Sequence, residues 1–190
     1  MQTLIKQKTI TYQDYLKFPN DVKGEIIQGE FTMAVAPNSN HQFIITRLMI
    51  LLSNSIDKNK SGYLFPAPID VIFDHETMLE PDIVFVSKEK KEIIQKRGIF
   101  GTPDLVVEII SPISQYKDNV IKKEIYEKFG VKEYWLVNPY LKSIEILTLL
   151  DNKYQLFSEG FLEDDGNIIV NSKFIPNLET NLTEIFTENF

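Results

Sequence analysis

Two stretches of the chain carry apolar residues at the spacing of helices. Residues 37–40, Pro-Asn-Ser-Asn, offer several N-caps, and the pattern after them predicts a long helix, Asn40–Asp57. A second substantial helix is predicted over Ser114–Phe129, with Gly130 ending it. The apolar side chains of the first helix nearly encircle it, so we expect that helix at the centre of the core or at a dimer contact. These side chains are Phe43, Ile44, Ile45, Leu48, Met49, Leu51, Leu52 and Ile56.

Short β-branched and aromatic runs, bounded by Pro, Gly or Asp, predict strands between and after these helices. The runs are Glu25–Gln28, Phe31–Ala36, Tyr63–Phe65, Ile69–Phe73, Ile83–Val86, Leu105–Ile110, Glu133–Val137, Ser143–Thr148 and Tyr154–Phe157. Shorter helical segments are predicted at Thr11–Phe18, with Thr11 as N-cap, at Lys88–Lys96, and as a terminal turn or helix at Leu178–Phe186. Mixed strands flanked by two long helices favour an α/β or α+β fold. The length of 190 residues suits one domain spanning 1–190.

Composition and charge exclude several classes of function. The chain has no cysteine, which excludes disulfides, thiolate metal sites and a cysteine nucleophile. Its 27 acidic and 20 basic residues give a net charge of −7, which disfavours a non-specific nucleic-acid coat but not an enzyme whose carboxylates hold a metal. The polar stretch Met1–Ile10 is unlike a signal peptide, and Leu48–Leu52 is too short to span a membrane. We therefore expect a soluble cytoplasmic protein without a membrane partner.

Two carboxylates occupy unusual positions in the strand pattern. Asp82 begins an apolar strand within the segment Glu-Pro-Asp-Ile, and Glu108 lies inside the apolar run Leu105–Ile110. A buried carboxylate needs a compensating partner because its desolvation costs several kcal/mol. A structural ion pair is one explanation. Another is a divalent cation, which prefers converging carboxylate oxygens and a backbone carbonyl.

A lysine in the second helix is placed to join these acids. On a helical wheel, Lys122 lies about 60° from the centre of the apolar stripe and Lys123 about 160°. Lys122 is therefore expected at the margin of the buried face, where it could reach over the sheet or simply extend its charge to solvent. Tyr126 follows one turn later and could brace Lys122 or merely pack.

A series of short motifs, in order and spacing, resembles the Uma-two family of restriction endonucleases, and the resemblance covers nearly the whole chain. The motifs are the segments 11–16 (Thr-Tyr-Gln-Asp-Tyr-Leu), 25–30 (Glu-Ile-Ile-Gln-Gly-Glu), 41–42 (His-Gln), 65–71 (Phe-Pro-Ala-Pro-Ile-Asp-Val), 80–83 (Glu-Pro-Asp-Ile), 103–112 (Pro-Asp-Leu-Val-Val-Glu-Ile-Ile-Ser-Pro), 122–126 and 130–139. Each motif is weak alone, and their combination is specific.

The resemblance extends to the PD-(D/E)XK nuclease superfamily and implies its fold and chemistry. The implied fold is a restriction-endonuclease-like αβββα-type core, a mixed sheet flanked by helices, here with extra C-terminal strands. The implied catalytic residues are Asp82, Glu108 and Lys122. The usual superfamily lysine would fall at position 110, which is Ile110 here, and the family pattern moves it to Lys122.

The resemblance also implies a cofactor and additional site residues. Mg²⁺ or Mn²⁺ would be held by Asp82, Glu108 and the backbone carbonyl near Ile109. Glu25 matches an acidic position of the family and is a further candidate metal ligand. His41 also matches, either as a catalytic residue or as a hydrogen-bonding residue at a helix start, and Tyr126 completes the candidate set.

These expectations lead to two hypotheses about function. The first is a Mg²⁺-dependent DNA endonuclease that hydrolyses phosphodiester bonds, acting as a homodimer. The second is a catalytically silent nuclease-like module that binds DNA or a partner protein. The acidic charge and the absence of a lysine at position 110 favour the silent module. Retention of both acids and of Lys122 favours the enzyme.

Overall fold

The structure is a computed structural model, and it describes residues 9–162 and 168–186. Its α-helices are α1 (Tyr12–Tyr15), α2 (Ser39–Asn59), α3 (Lys123–Phe129) and α4 (Leu182–Phe186). A 3₁₀ turn spans Lys88–Ile93. A π-helical turn, Lys117–Lys122, runs directly into α3 and is called the π turn below.

The strands form two six-stranded sheets and one two-stranded sheet. In chain order they are β1 (Gly24–Ile27), β2 (Glu30–Met33), β3 (Gly62–Pro66), β4 (Val71–Asp74), β5 (Thr77–Leu79), β6 (Ile83–Ser87), β7 (Ile94–Gln95), β8 (Gly98–Phe100), β9 (Leu105–Ile109), β10 (Glu133–Asn138), β11 (Ser143–Leu150), β12 (Lys153–Phe161), β13 (Ile169–Asn171) and β14 (Glu179–Asn181).

The central sheet has the order β12-β11-β10-β9-β6-β3 and is covered on both faces. Its β9–β10 pair is parallel, so the chain must cross over between these strands, and the π turn and α3 form that connection. Successive residues of β9 face opposite sides. Val107 packs in the core that includes α2, whereas Val106 packs against α3. Glu108 therefore points to the α3 side.

The outer sheet has the order β2-β1-β5-β4-β8-β7 and brings a second carboxylate to the same region. Strands β1 and β2 form a hairpin whose turn residues Gln28 and Gly29 have φ values of 51° and 81°, as a tight hairpin turn requires. In β1, Ile26 packs in a core cluster with Tyr12 and Tyr15 of α1. Its neighbour Glu25 faces the opposite side, toward the π turn.

The expected fold class is confirmed: mixed sheets are flanked by helices, and β11 to β14 follow as extra C-terminal strands. The long first helix is present as α2, with Asn38 as its N-cap. The predicted hairpin and the strands at β3, β4, β6, β9, β10, β11 and β12 are also present, with ends shifted by up to four residues.

Several local predictions were wrong. The segment Lys88–Lys96 forms a 3₁₀ turn and then β7, because Ile94 pairs with Ile99 of β8. The helix predicted over Thr11–Phe18 is only Tyr12–Tyr15, although Thr11 is its N-cap as predicted and forms a capping box with Asp14. Five short strands among the described residues, β5, β7, β8, β13 and β14, were missed because strands of two or three residues carry little periodic signal.

The apolar surface of α2 belongs to the core. Five of its apolar residues are buried (Ile44, Ile45, Leu48, Leu52 and Ile56). Of the two alternatives for this helix, the structure therefore shows the central core position, and a homodimer stays a prediction. In the part of the chain that the structure describes, no helix is long and apolar enough to cross a membrane.

Tyr134 of β10 should hold the π turn in place. Its buried hydroxyl donates to the carbonyl oxygen of Asp118 over 3.1 Å. Tyr134→Phe leaves that buried carbonyl without this donor, so we expect the free energy of unfolding to fall by about 1–2 kcal/mol in urea denaturation. Tyr140→Phe, at an exposed position, is the matched control. Equal stabilities of the two variants would contradict this role of Tyr134.

Candidate active site

Glu108 lies at the centre of a buried polar cluster between the two sheets. Glu108 is 4% exposed. Its Oε1 accepts hydrogen bonds from Lys122 Nζ at 2.8 Å and from the Tyr126 hydroxyl at 2.5 Å. Both donors come from the crossover between β9 and β10, which packs on the face to which Glu108 points. The apolar strand can therefore hold a carboxylate because its own crossover supplies the partners.

Asp82 reaches the same region from the start of β6. Because β6 pairs antiparallel with β9, Asp82 lies beside the end of β9, and its Oδ2 accepts the backbone N–H of Ile109 at 2.7 Å. The Nε2 atom of His41, in the first turn of α2, lies 3.2 Å from the same oxygen. The structure thus places Asp82 against the residue that follows Glu108, with His41 as a second neighbour.

Lys122 is more deeply buried than the helical wheel indicates. The residue is 5% exposed, and its Nζ lies 2.9 Å from Glu25 Oε1 in addition to its contact with Glu108. A wheel drawn at α-helical spacing assumes hydrogen bonds from i to i+4, whereas the π turn closes them from i to i+5 and shifts every later side chain. Lys122 lies deeper than the buried margin expected for it, and of its two alternatives the structure shows the one in which the side chain reaches over the sheet to the acids.

Glu25 joins the cluster from the outer sheet. Its Oε1 also accepts the backbone N–H of Glu80 at 3.0 Å, and its Oε2 forms an ion pair with Lys117. Six candidate site residues named from the sequence, Asp82, Glu108, Lys122, Glu25, His41 and Tyr126, are thus brought together. Their assignment to catalysis stays a prediction.

Two residues of the cluster were missed by the sequence reasoning. Asp118 is 2% exposed, and its Oδ1 lies 3.6 Å from Lys122 Nζ. Lys117 binds Glu25. The signal for Asp118 was available, because Asp118, Lys122 and Tyr126 follow at intervals of four residues and so share one face of a helix.

The balance of charge in the cluster determines the ionisation of its members. Burial alone would lower the pKa of Lys122, but the carboxylates of Glu108, Glu25 and Asp118 together raise it well above its usual range. Lys122 is therefore an ammonium group. Burial raises the pKa of Glu108, and the neighbouring acids add to that effect although Lys122 opposes it. For Glu25, Lys122 and Lys117 outweigh burial and lower the pKa.

The cluster opens to solvent on the side of Asp82. A cleft of about 510 Å³ lies there, lined in part by residues 34–37, Lys23, His41, Glu80 and Asp82. Glu108 and Lys122 lie behind it in the interior. The arrangement therefore exposes the Asp82 carboxylate to a molecule in the cleft, whereas the Glu108 carboxylate is buried behind it.

The chemistry of the donors fits a hard divalent cation. As they stand, no three His, Cys, Asp or Glu side chains among residues 9–162 and 168–186 are grouped to hold a metal ion. Mg²⁺, however, commonly uses only one or two protein carboxylates and keeps several waters. In the described cluster four carboxylates (Glu25, Asp82, Glu108 and Asp118) surround two ammonium groups (Lys117 and Lys122), which leaves excess negative charge when all are ionised. The buried Oδ1 of Asp118 also lacks a hydrogen-bond partner.

Glu80, which lines the cleft, belongs to a second pair of carboxyl groups. Burial, followed by the charges of Asp70 and Glu25, raises the pKa of Glu80 to about 7. Asp70 and Glu80 are joined by a side-chain hydrogen bond, and burial also raises the pKa of Asp70. Two carboxyl groups in hydrogen-bond contact share a proton because both cannot ionise freely.

The raised pKa of Glu80 predicts a pH-dependent effect of Glu80→Gln. In the unfolded chain Glu80 loses its proton near its ordinary pKa of 4.5, whereas in the folded protein it keeps the proton to about pH 7. The folded state therefore loses stability relative to the unfolded state as pH rises through this window. Since glutamine removes that loss, we expect Glu80→Gln to be more favourable, relative to wild type, at pH 8 than at pH 5.

Urea unfolding at the two pH values measures this difference. Glu30→Gln, at an exposed position of β2, is the control and should show no such change between the two pH values. An effect of Glu80→Gln that is the same at pH 5 and pH 8 would contradict the proton-sharing pair.

Comparisons with known proteins agree with this architecture. The fold is similar to that of a crystal structure from Anabaena variabilis ATCC 29413, described as "a putative nuclease belonging to DUF820". The match covers 94% of this chain and 98% of the other, with a TM-score of 0.75 and 17% identity. At that identity the likeness shows a shared fold. The type IIG restriction endonuclease BpuSI matches 67% of this chain and 14% of its own, with 16% identity and a TM-score of 0.41. No protein with a curated functional description matches the sequence.

A family model provides the more extensive sequence match. Residues 12–183 match the model described as "Uma2: Putative restriction endonuclease". The match includes every member of the cluster around Glu108 and all but the ends of the described structure. The chain therefore belongs to the Uma2 family of restriction-endonuclease-like proteins.

Proposed function

We propose that this protein is a Mg²⁺- or Mn²⁺-dependent DNA endonuclease that hydrolyses phosphodiester bonds. Asp82, Glu108 and the backbone carbonyl of Ile109 would hold the metal, with Glu25 as an additional ligand. The observation that carries the proposal is the placement of Asp82 and Glu108 on adjacent strands, joined through the N–H of Ile109, with the Lys122 ammonium on Glu108. Family membership supports the same class of activity.

Residues in the cleft and residues in the interior would have different roles. His41 and the Ile109 N–H both contact Oδ2 of Asp82, so they orient its carboxylate toward the cleft. Lys122 and Tyr126 both bind Oε1 of Glu108, so they hold this carboxylate in place behind the cleft. When bound, a divalent cation supplies a water of lowered pKa and positive charge at the phosphate.

Lys122 is suited to stabilising negative charge rather than removing a proton. Three carboxylates keep its pKa well above the usual range, so the ammonium form persists at neutral pH. A general base needs a pKa near the working pH. Of the roles open to this lysine, its persistent positive charge favours electrostatic stabilisation of the phosphate as negative charge develops on it.

The alternative, a silent nuclease-like module, is favoured by one specific observation. Oε1 of Glu108 accepts two donors, and both oxygens of Glu25 are paired, so metal entry must displace existing contacts. A protein that keeps these contacts permanently would bind DNA or a partner without cutting. Metal binding therefore distinguishes the two functions.

Cleavage of supercoiled plasmid tests the enzyme hypothesis. We expect wild type to nick or linearise plasmid only with Mg²⁺ or Mn²⁺. Asp82→Asn and Glu108→Gln should each reduce the rate by about a hundredfold or more, because each removes a metal-facing charge. Asp57→Asn, an exposed change near the end of α2, is the control and should cut at the wild-type rate. Thermal unfolding of each variant checks that the fold is retained.

Three outcomes of this experiment distinguish the hypotheses. Equal cleavage by wild type and Asp82→Asn would contradict the proposed site and point to a contaminating nuclease. Absence of cleavage together with absence of Mn²⁺ binding in titration calorimetry would favour the silent module. Metal-dependent cleavage that only Asp82→Asn and Glu108→Gln lose would support the enzyme.

A further inference from the structure

Asp118 has an oxygen that no donor satisfies. The residue is 2% exposed, and its Oδ1 is buried without a hydrogen-bond partner among the described residues. The backbone of Asp118 is fixed, because its N–H donates to the Ser114 carbonyl at 2.8 Å and its own carbonyl accepts from Tyr134. An unsatisfied buried acceptor destabilises the fold, so the position of this oxygen calls for a donor.

The ammonium group of Lys122 is a donor close to this oxygen. Its Nζ lies 3.6 Å from Asp118 Oδ1, just outside hydrogen-bond range, and 2.8 and 2.9 Å from Glu108 and Glu25. An ammonium has three N–H donors, and these two bonds leave one for Asp118. A displacement of roughly 0.7 Å would complete that bond. Asp118 is therefore a third acceptor within reach of the same cation.

We propose that Asp118 is a positioning residue that receives Lys122 when a metal ion takes the oxygens of Glu108 and Glu25. This inference rests on the proposed metal-dependent function. Moving the ammonium to Asp118 keeps it paired and buried near the reaction site, and at the same time removes one of the two donors from Oε1 of Glu108. Asp118 thus acts through Lys122 and is not itself a metal ligand.

The geometry of the helix supports this exchange. Asp118 begins the stripe of side chains that Lys122 and Tyr126 continue toward Glu108, and the π turn places all three on the buried face. Tyr126 continues to donate to Glu108 when Lys122 leaves, so that carboxylate keeps one anchor. The lysine therefore has two acceptor positions along one helix face, and Glu108 retains its orientation in both.

A double-mutant cycle on Mn²⁺ affinity tests the proposal without relying on catalysis. Titration calorimetry would give the Mn²⁺ dissociation constant for wild type, Asp118→Asn, Lys122→Gln and the double variant. We expect Asp118→Asn to weaken binding by about tenfold in wild type, since Lys122 then stays on Glu108, and by less than about threefold in Lys122→Gln. Asp57→Asn, which removes a distant exposed charge, should leave the affinity unchanged.

The outcomes separate this inference from the proposed function. Equal weakening by Asp118→Asn in both backgrounds would overturn the positioning role, because Asp118 would then act on the metal directly. No weakening in either background would overturn it as well. If wild type binds no Mn²⁺, the metal site of the proposed function fails and this inference fails with it.

A crystal structure of wild type with Mn²⁺ provides a second measurement that needs no variant and therefore holds even if Lys122→Gln does not fold. We expect Lys122 Nζ within about 3 Å of Asp118 Oδ1 and no longer bonded to Glu108. A lysine still on Glu108 beside a bound metal, or a metal bonded directly to Asp118, would overturn the proposal.

Discussion

One buried ammonium group joins the two large sheets of this protein. Lys122, in the π turn between the strands β9 and β10, contacts Glu108 on the central sheet and Glu25 on the outer sheet. Removing one partner of a buried ion pair typically costs about 3–5 kcal/mol, because the remaining charge stays desolvated. The three groups therefore persist or are lost together. The candidate active site therefore also contains an ion-pair contact between the two sheets.

The candidate active site has a buried side and a side that is open to the cleft. Asp82 and His41 border an open cleft, whereas Glu108, Lys122 and Tyr126 are closed off behind it. Charges in the interior interact strongly because little water screens them, and charges at the cleft remain accessible to a ligand. The protein thus combines strong internal electrostatics with an accessible carboxylate.

The sequence allowed much of the fold and part of the site to be predicted. Periodicity and caps identified α2 and the longer strands, and an isolated acid in an apolar strand singled out Glu108. The position of Glu25 beside Lys122 depends on packing between sheets, which local pattern does not encode. Asp118 was overlooked although it lies one helical turn before Lys122, which the helical wheel did single out. The depth of Lys122 depends on a π turn, for which the sequence carried no recognised signal.

The π turn accommodates one more residue in the crossover than an α-helical turn would. Lys122 follows Glu108 by 14 positions. Deleting one residue early in the π turn would convert it to ordinary α-helix and leave the later side chains on nearly the same face, because the lost residue and the narrower turn offset each other. Lys122 and Tyr126 would then still face Glu108, at one position less from it in the sequence. In an alignment with another protein, a one-residue gap in this short segment is therefore compatible with the same arrangement of polar side chains.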